Sequence, residues 1–132
     1  MSEEALKIIN DAMEKLELNY EFMEWTGGHI YPYFTGEYQV IEPTSENGLN
    51  ESKFILSGYA RHQKGRINPY LALENAKNKI KKLFDERTGY MVSTDSGSVV
   101  AIFYSDSFPV RTVDAELKKI QINLDVKEWS VN

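Results

Sequence analysis

The stretch Ile120-Gln121-Ile122-Asn123-Leu124-Asp125-Val126-Lys127 alternates apolar and polar residues without a break. Period-two alternation puts Ile120, Ile122, Leu124 and Val126 on one face of a strand and the polar set on the other. One face is dry and the other wet, so the chain contains a sheet with at least one covered face. Two amphipathic segments can supply the cover. In residues 3–16, Leu6, Ile9, Met13 and Leu16 recur at helical spacing, and Ala5 and Ala12 widen the stripe. Ser2 is placed to cap this helix, and Glu3 and Glu4 suit the positive end of its dipole. In residues 69–85, Asn68 is the cap and Pro69 the first helical residue. Leu73, Ala76, Ile80, Leu83 and Phe84 form the stripe, with Lys77 and Lys81 beside it and Lys82 opposite.

Further strands lie around these elements. Leu18, Tyr20 and Phe22 alternate with Glu17, Asn19 and Glu21. Residues 31–42 and 52–61 read as a second and third strand, with Pro32 at an edge position or a strand start. Residues 43–50 between them are polar turn chemistry around an Asn-Gly pair, so the two strands form a long hairpin with a mobile tip. Residues 90–92 form a short strand, and residues 99–104 an apolar run of the kind that fits a central strand. Residues 106–114 read as a loop held by Pro109. The expectation is a single α+β domain over residues 1–132 in the order αβββαβββ. A mixed or antiparallel sheet is flanked by two helices, with a long hairpin between the second and third strands. The core is expected to hold Leu6, Ile9, Met13, Phe54, Leu56, Ile80, Phe84, Ile102, Ile120, Ile122 and Leu124. On the third strand Phe54, Leu56, Gly58 and Ala60 share one face, while Lys53, Ile55, Ser57 and Tyr59 share the other. The second face is not purely polar, which calls for cover by helices or by a partner subunit.

The 132 residues are 42% hydrophobic and 27% charged, an ordinary globular balance. There is no cysteine, which excludes disulfides and thiolate chemistry. The N-terminal residues are acidic and amphipathic rather than signal-like, and no apolar run is long enough to span a membrane. Net charge is -5 but segregated: residues 1–60 carry -8, residues 61–82 carry +6 and residues 83–132 carry -3. The basic segment holds Arg61, Lys64, Arg66, Lys77, Lys79, Lys81 and Lys82. Three roles fit it: a solvated helix face, a contact with nucleic acid, or a contact with the acidic face of another copy.

No phosphate-binding loop, dinucleotide fingerprint, nucleophile elbow or zinc-protease motif is present. His29 and His62 read as turn or surface histidines without metal-ligand spacing. Asp85, Glu86 and Asp95 read as helix-end and turn carboxylates, and Thr94-Asp95-Ser96-Gly97 as a turn. Tyr31, Tyr33, Tyr38 and Tyr59 gather on the hairpin strands. Such rings can stack on single-stranded nucleic acid or make protein contacts. No catalytic, metal or cofactor site follows from these residues, and a serine–histidine–acid set that meets only in space stays open.

The order αβββαβββ, the size, the long hairpin between the second and third strands and the basic helix after it resemble the tail terminator, or tail-completion and head–tail joining, proteins of long-tailed bacteriophages and prophages. The residues that carry the resemblance are Pro32-Tyr33-Phe34-Thr35-Gly36-Glu37-Tyr38, residues 52–61, the lysine-rich helix over 76–84, and the alternating strand over 120–129. The resemblance implies a structural virion protein without enzymatic activity or cofactor. Copies form a ring, commonly a hexamer, at the head-proximal end of the tail tube. Its partners are itself, the tail tube protein and the head connector protein. DNA passes through the lumen without sequence recognition, and no membrane is involved. The protein would act in the host bacterial cytoplasm during assembly and then reside in the virion tail. Under this reading Arg61, Lys64, Arg66, Lys77 and Lys81 face a neighbouring subunit or the lumen. Thr44, Ser45, Glu46, Asn47 and Gly48 form an assembly loop. Two alternatives stand beside it: a small nucleic-acid-binding module that uses residues 61–82, and a small enzyme whose site is assembled only in space.

Overall fold

A computed structural model describes residues 1–41 and 49–130. The elements follow the order α1 (Glu3–Lys15), β1 (Asn19–Phe22), β2 (Tyr33–Ile41), β3 (Leu49–Arg61), α2 (Pro69–Leu83), β4 (Tyr90–Ser93), β5 (Val99–Val110) and β6 (Leu117–Trp129). The six strands make one mixed sheet in the order β1-β2-β3-β6-β5-β4. Among the described residues only the β1–β2 pair is parallel. The sheet curls into a half-barrel flanked by the helices. Among the described residues no helix is long and apolar enough to cross a membrane.

Both helices cover the same sheet face. Ile9 and Met13 of α1 and Leu73 and Ile80 of α2 join one buried cluster with Phe34, Phe54, Leu56, Ile102, Ile122 and Leu124. Register places those sheet residues on one side, since Phe34 lies opposite Gly58, Leu56 opposite Ile122, and Ile102 opposite Val126. The expected core is buried throughout except Leu6, which packs against its margin. Helix starts follow the caps: Ser2 Oγ accepts from the Ala5 N–H at 3.1 Å, and Asn68 Oδ1 from the Tyr70 N–H at 2.8 Å. Ser2 also donates its hydroxyl to the Glu128 carboxylate and so ties α1 to the end of β6.

Gly36 and Gly58 make room for the largest core rings. A Cβ on Gly58 would strike the ring of Phe34, and one on Gly36 would strike Phe54 and the Tyr20 hydroxyl. The two phenylalanines lie over the glycines of the adjacent strand, which is why β2 and β3 tolerate glycine in mid-strand.

Two expectations are corrected. Residues 106–110 are not loop: β5 continues through Pro109 to Val110 after a bulge between Tyr104 and Asp106. β4 pairs only with residues 99–102, so this half of β5 has an unpaired side. Proline is tolerated on such an edge because no ladder bond is lost there. Over residues 99–102 β5 lies between β4 and β6, an interior position that its apolar run fits. Leu49 and Asn50 are strand, not turn. The remaining tip residues, Thr44, Ser45, Glu46, Asn47 and Gly48 among them, lie outside the described residues.

Candidate functional site: the open sheet face and its free edges

The sheet face away from the helices carries no covering element among the described residues, and lateral contacts organise it. Tyr33, Tyr59 and Lys119 form one cross-strand row. Trp25, from the β1–β2 connection, stacks on Tyr33 with centroids 4.9 Å apart and planes 7° from parallel. Tyr33 stacks on Tyr59 at 5.0 Å, and Lys119 Nζ lies 5.3 Å from the Tyr59 centroid. Burial raises the Tyr33 pKa, helped by the neighbouring Tyr31 and Tyr59. Trp25 Nε1 donates to the Gly28 carbonyl at 2.9 Å, a bond within the connection that holds the indole in place.

At the end of this row Arg61 donates to Asp114 at 2.7 Å, with Glu116 at 3.9 Å. The Tyr31 hydroxyl and Asp114 together raise the guanidinium pKa. The Glu116 backbone N–H and Arg61 hold the Asp114 carboxyl below its ordinary value. Further along the face, Gln121 donates to Asn123 at 3.0 Å and Asn123 to Asp106 at 2.7 Å. Asn123 is buried by this network although no helix lies over it.

The proposed basic residues differ in what holds them. Arg61 is held by Asp114 within its own chain. Lys77 Nζ meets Glu74 at 2.5 Å with its side chain 17% exposed. Lys81 Nζ sits 5.2 Å from the Tyr104 ring centroid. Lys64 and Arg66 are exposed on the connector between β3 and α2, with no ion pair among the described residues. Tyr31, Tyr33 and Tyr59 come together as their spacing suggests, but Tyr38 lies on the opposite face, stacked on Phe22 at 6.1 Å. Trp25 and Lys119 complete the row and carried no local signal, because only the fold brings them to it.

Two strand edges are open. β1 pairs with β2 only through Gly36, so, among the described residues, residues 37–41 bond on the β3 side alone. Val40 there is 61% exposed, and Tyr38 and Ile41 are exposed as well. β4 pairing ends at Ile102, the Tyr104 N–H donates to the Phe84 carbonyl at 2.8 Å, and beyond the bulge residues 106–110 pair, among the described residues, only with β6. Phe108 on that edge is 44% exposed. Beside it an apolar groove of about 520 Å³ runs between α2 and β5, lined by Tyr70, Leu71, Leu73, Pro109 and Ile120.

Other candidate groups have local roles. Asp85 accepts from the Arg87 and Thr88 N–H groups at 2.8 and 3.0 Å, which lowers its pKa. Residues 94–98 form the β4–β5 turn, in which Gly97 donates to the Thr94 carbonyl, and Ser96 donates to Glu4 at 2.8 Å. That bond holds Glu4 below its ordinary value. His29 is exposed, and the His62 backbone N–H donates to the Glu116 carbonyl. Among the described residues no group of three or more His, Asp and Glu could hold a metal ion. Comparison with protein-family models and with curated proteins finds no match to this chain.

Proposed function

We propose that this chain is a non-enzymatic structural subunit of a long-tailed phage or prophage. Copies close into a ring at the head-proximal end of the tail tube, stop its growth and join it to the head connector. The observation that carries this reading is the one-sided cover of the sheet. Both helices pack on one face, while the other face and two strand edges stay open with exposed Val40, Ile41 and Phe108. Such surfaces suit a subunit whose sheet is completed by neighbours. A head-to-tail contact joins two different patches of each copy, and repeating it by rotation closes a ring. Exposed Lys64 and Arg66 supply positive charge that a DNA-filled lumen tolerates.

The nucleic-acid-binding alternative has less support. Trp25, Tyr33 and Tyr59 stack on one another, and Lys119 takes an outer face of the row, so few ring faces remain for bases. Native mass spectrometry with negative-stain imaging tests the ring. A mass of several subunits and annular particles are expected. A monomer at all concentrations, with no rings, would overturn the reading. In the phage, loss of the protein should leave tails of uncontrolled length without heads.

A further inference from the structure

The unpaired part of β2 spans residues 37–41, and the unpaired part of β5 beyond its bulge spans residues 106–110, an equal length. They lie on opposite sides of the sheet and run in opposite directions, since β2, β3, β6 and β5 are successively antiparallel. The geometry points to these edges pairing with each other between copies: residues 37–41 of one subunit add antiparallel to residues 106–110 of the next. The occupant of each edge is a second copy of this chain. This inference rests on the ring reading and specifies its subunit contact.

Side-chain direction restricts the register. Tyr38 and Val40 point to the helix side, as do Ser107 and Pro109, while Glu37, Gln39 and Ile41 share the outer side with Asp106, Phe108 and Val110. Only registers that keep like-facing residues opposite one another are compatible with a continuous sheet. Placing Gln39 opposite Phe108 sets Ile41 against Asp106 and Glu37 against Val110. It uses the full span between the bulge and the end of β5. It keeps the two carboxylates at opposite ends and brings Glu37 within one strand of Lys119, the in-sheet partner of Val110. Tyr38 and Val40 then face the groove beside Pro109, Tyr70 and Leu71. Two β2 edges brought together offer no such groove, which favours the head-to-tail contact.

The free half of β2 is at one end of the sheet and the free half of β5 at the other. Joining them staggers each copy along the strands, and a stagger closes only when strands tilt against the ring axis, as in any barrel. Pro109 withholds one backbone donor, so the junction leans on packing more than an in-sheet ladder does. That suits subunits that stay apart until assembled.

The absence of cysteine allows a clean test. Facing residues in an antiparallel pair lie within disulfide reach. The double variant Gln39→Cys/Phe108→Cys, oxidised and run without reductant, should give a ladder ending at the full ring. Each single variant should give none, and a mixture of the two singles should stop at dimers. Disulfides in Gln39→Cys alone would mean that like edges meet and would overturn the pairing. Multimeric mass without any cross-link would overturn the pairing while the ring stands. Monomers throughout would overturn both. Val40→Lys, at an exposed position that the monomer fold does not need, should abolish the multimer with unchanged circular dichroism. A multimer that persists in that variant would also overturn the pairing.

Discussion

Along β3, Ser52, Phe54, Leu56, Gly58 and Ala60 are buried beneath the helices, while Lys53, Ile55, Ser57, Tyr59 and Arg61 stay half-buried with no helix above them. Two faces of one strand are thus held by different forces. The helix side is held by burial, which has no direction and rewards apolar volume. The open side is held sideways, ring against ring, guanidinium against carboxylate and amide against amide. Such contacts are directional and leave the face open, which a surface that receives a neighbour requires.

The largest effect expected on this contrast is on the helix side. Ile122 is fully buried, so Ile122→Ala should cost about 2–5 kcal/mol in urea denaturation. Ile55, half-buried on the open side, should cost about 1 kcal/mol in the monomer. A larger loss at Ile55 than at Ile122 would break the comparison. A loss at Ile55 that grows on assembly would sharpen it, by showing that the open face is covered in the ring.

Next in size are the mid-strand glycines. Gly58→Ala inserts a methyl group against the Phe34 ring and should cost about 1–3 kcal/mol. The measurement is the shift in denaturation midpoint at constant slope. Rescue by Phe34→Leu would show that the ring sets the cost rather than the strand backbone.

How much of this was legible in the sequence divides along the same line. Burial has a period, so the helix side of β3 and β6 could be read from Phe54, Leu56, Ile122 and Leu124. Lateral pairing has none. Nothing in the order of residues says that β3 lies beside β6, and that adjacency alone puts Lys119 over Tyr59. Arg61 was legible as a charge but not as the partner of Asp114, a residue 53 positions away. Residues 106–110 were missed because Pro109 and mixed polarity mimic a loop, when an edge strand tolerates both. The free edges of the candidate site were not legible at all, since they are defined by where β1 and β4 stop.

The aromatic row is a smaller effect. Tyr59→Leu keeps most of the apolar area and removes the stack, so the loss should be about 0.5–1.5 kcal/mol. A double-mutant cycle with Tyr33→Leu should show coupling of the same size. Zero coupling would mean that the rings are merely neighbours.

Acid should act on the turns of the molecule before its core. Asp114, Asp85 and Glu21 all sit below their ordinary values, through the Glu116 N–H, the Thr88 N–H and the Thr26 hydroxyl respectively. A depressed carboxyl contributes stability above its unfolded pKa and loses it as pH falls through the folded one. Stability should be level from about pH 7 to 5 and decline below about 4. Asp114→Asn should lower the neutral plateau and shallow the decline. Ile122→Ala should lower the whole curve without changing its shape.

The smallest effect on the fold, and the most informative on assembly, concerns Lys64 and Arg66. Both are exposed, so reversing them to Glu should change monomer stability by less than about 0.5 kcal/mol. Three roles then separate. A subunit contact needs matched geometry, so Arg66→Glu alone should weaken the ring, and a compensating reversal on the acidic partner should restore it. A lumen needs only a field, so single reversals should be mild and the loss of infectious particles should grow with the number of charges reversed. A solvated face needs neither, and both variants should then leave ring mass and infectivity unchanged. Arg61→Glu is the control that tells fold from assembly. It breaks the pair with Asp114 inside the chain, so its melting temperature should fall before any ring is formed. If Arg66→Glu melted as Arg61→Glu does, the connector would belong to the fold, and the exposed charge would no longer be a candidate for the assembly surface.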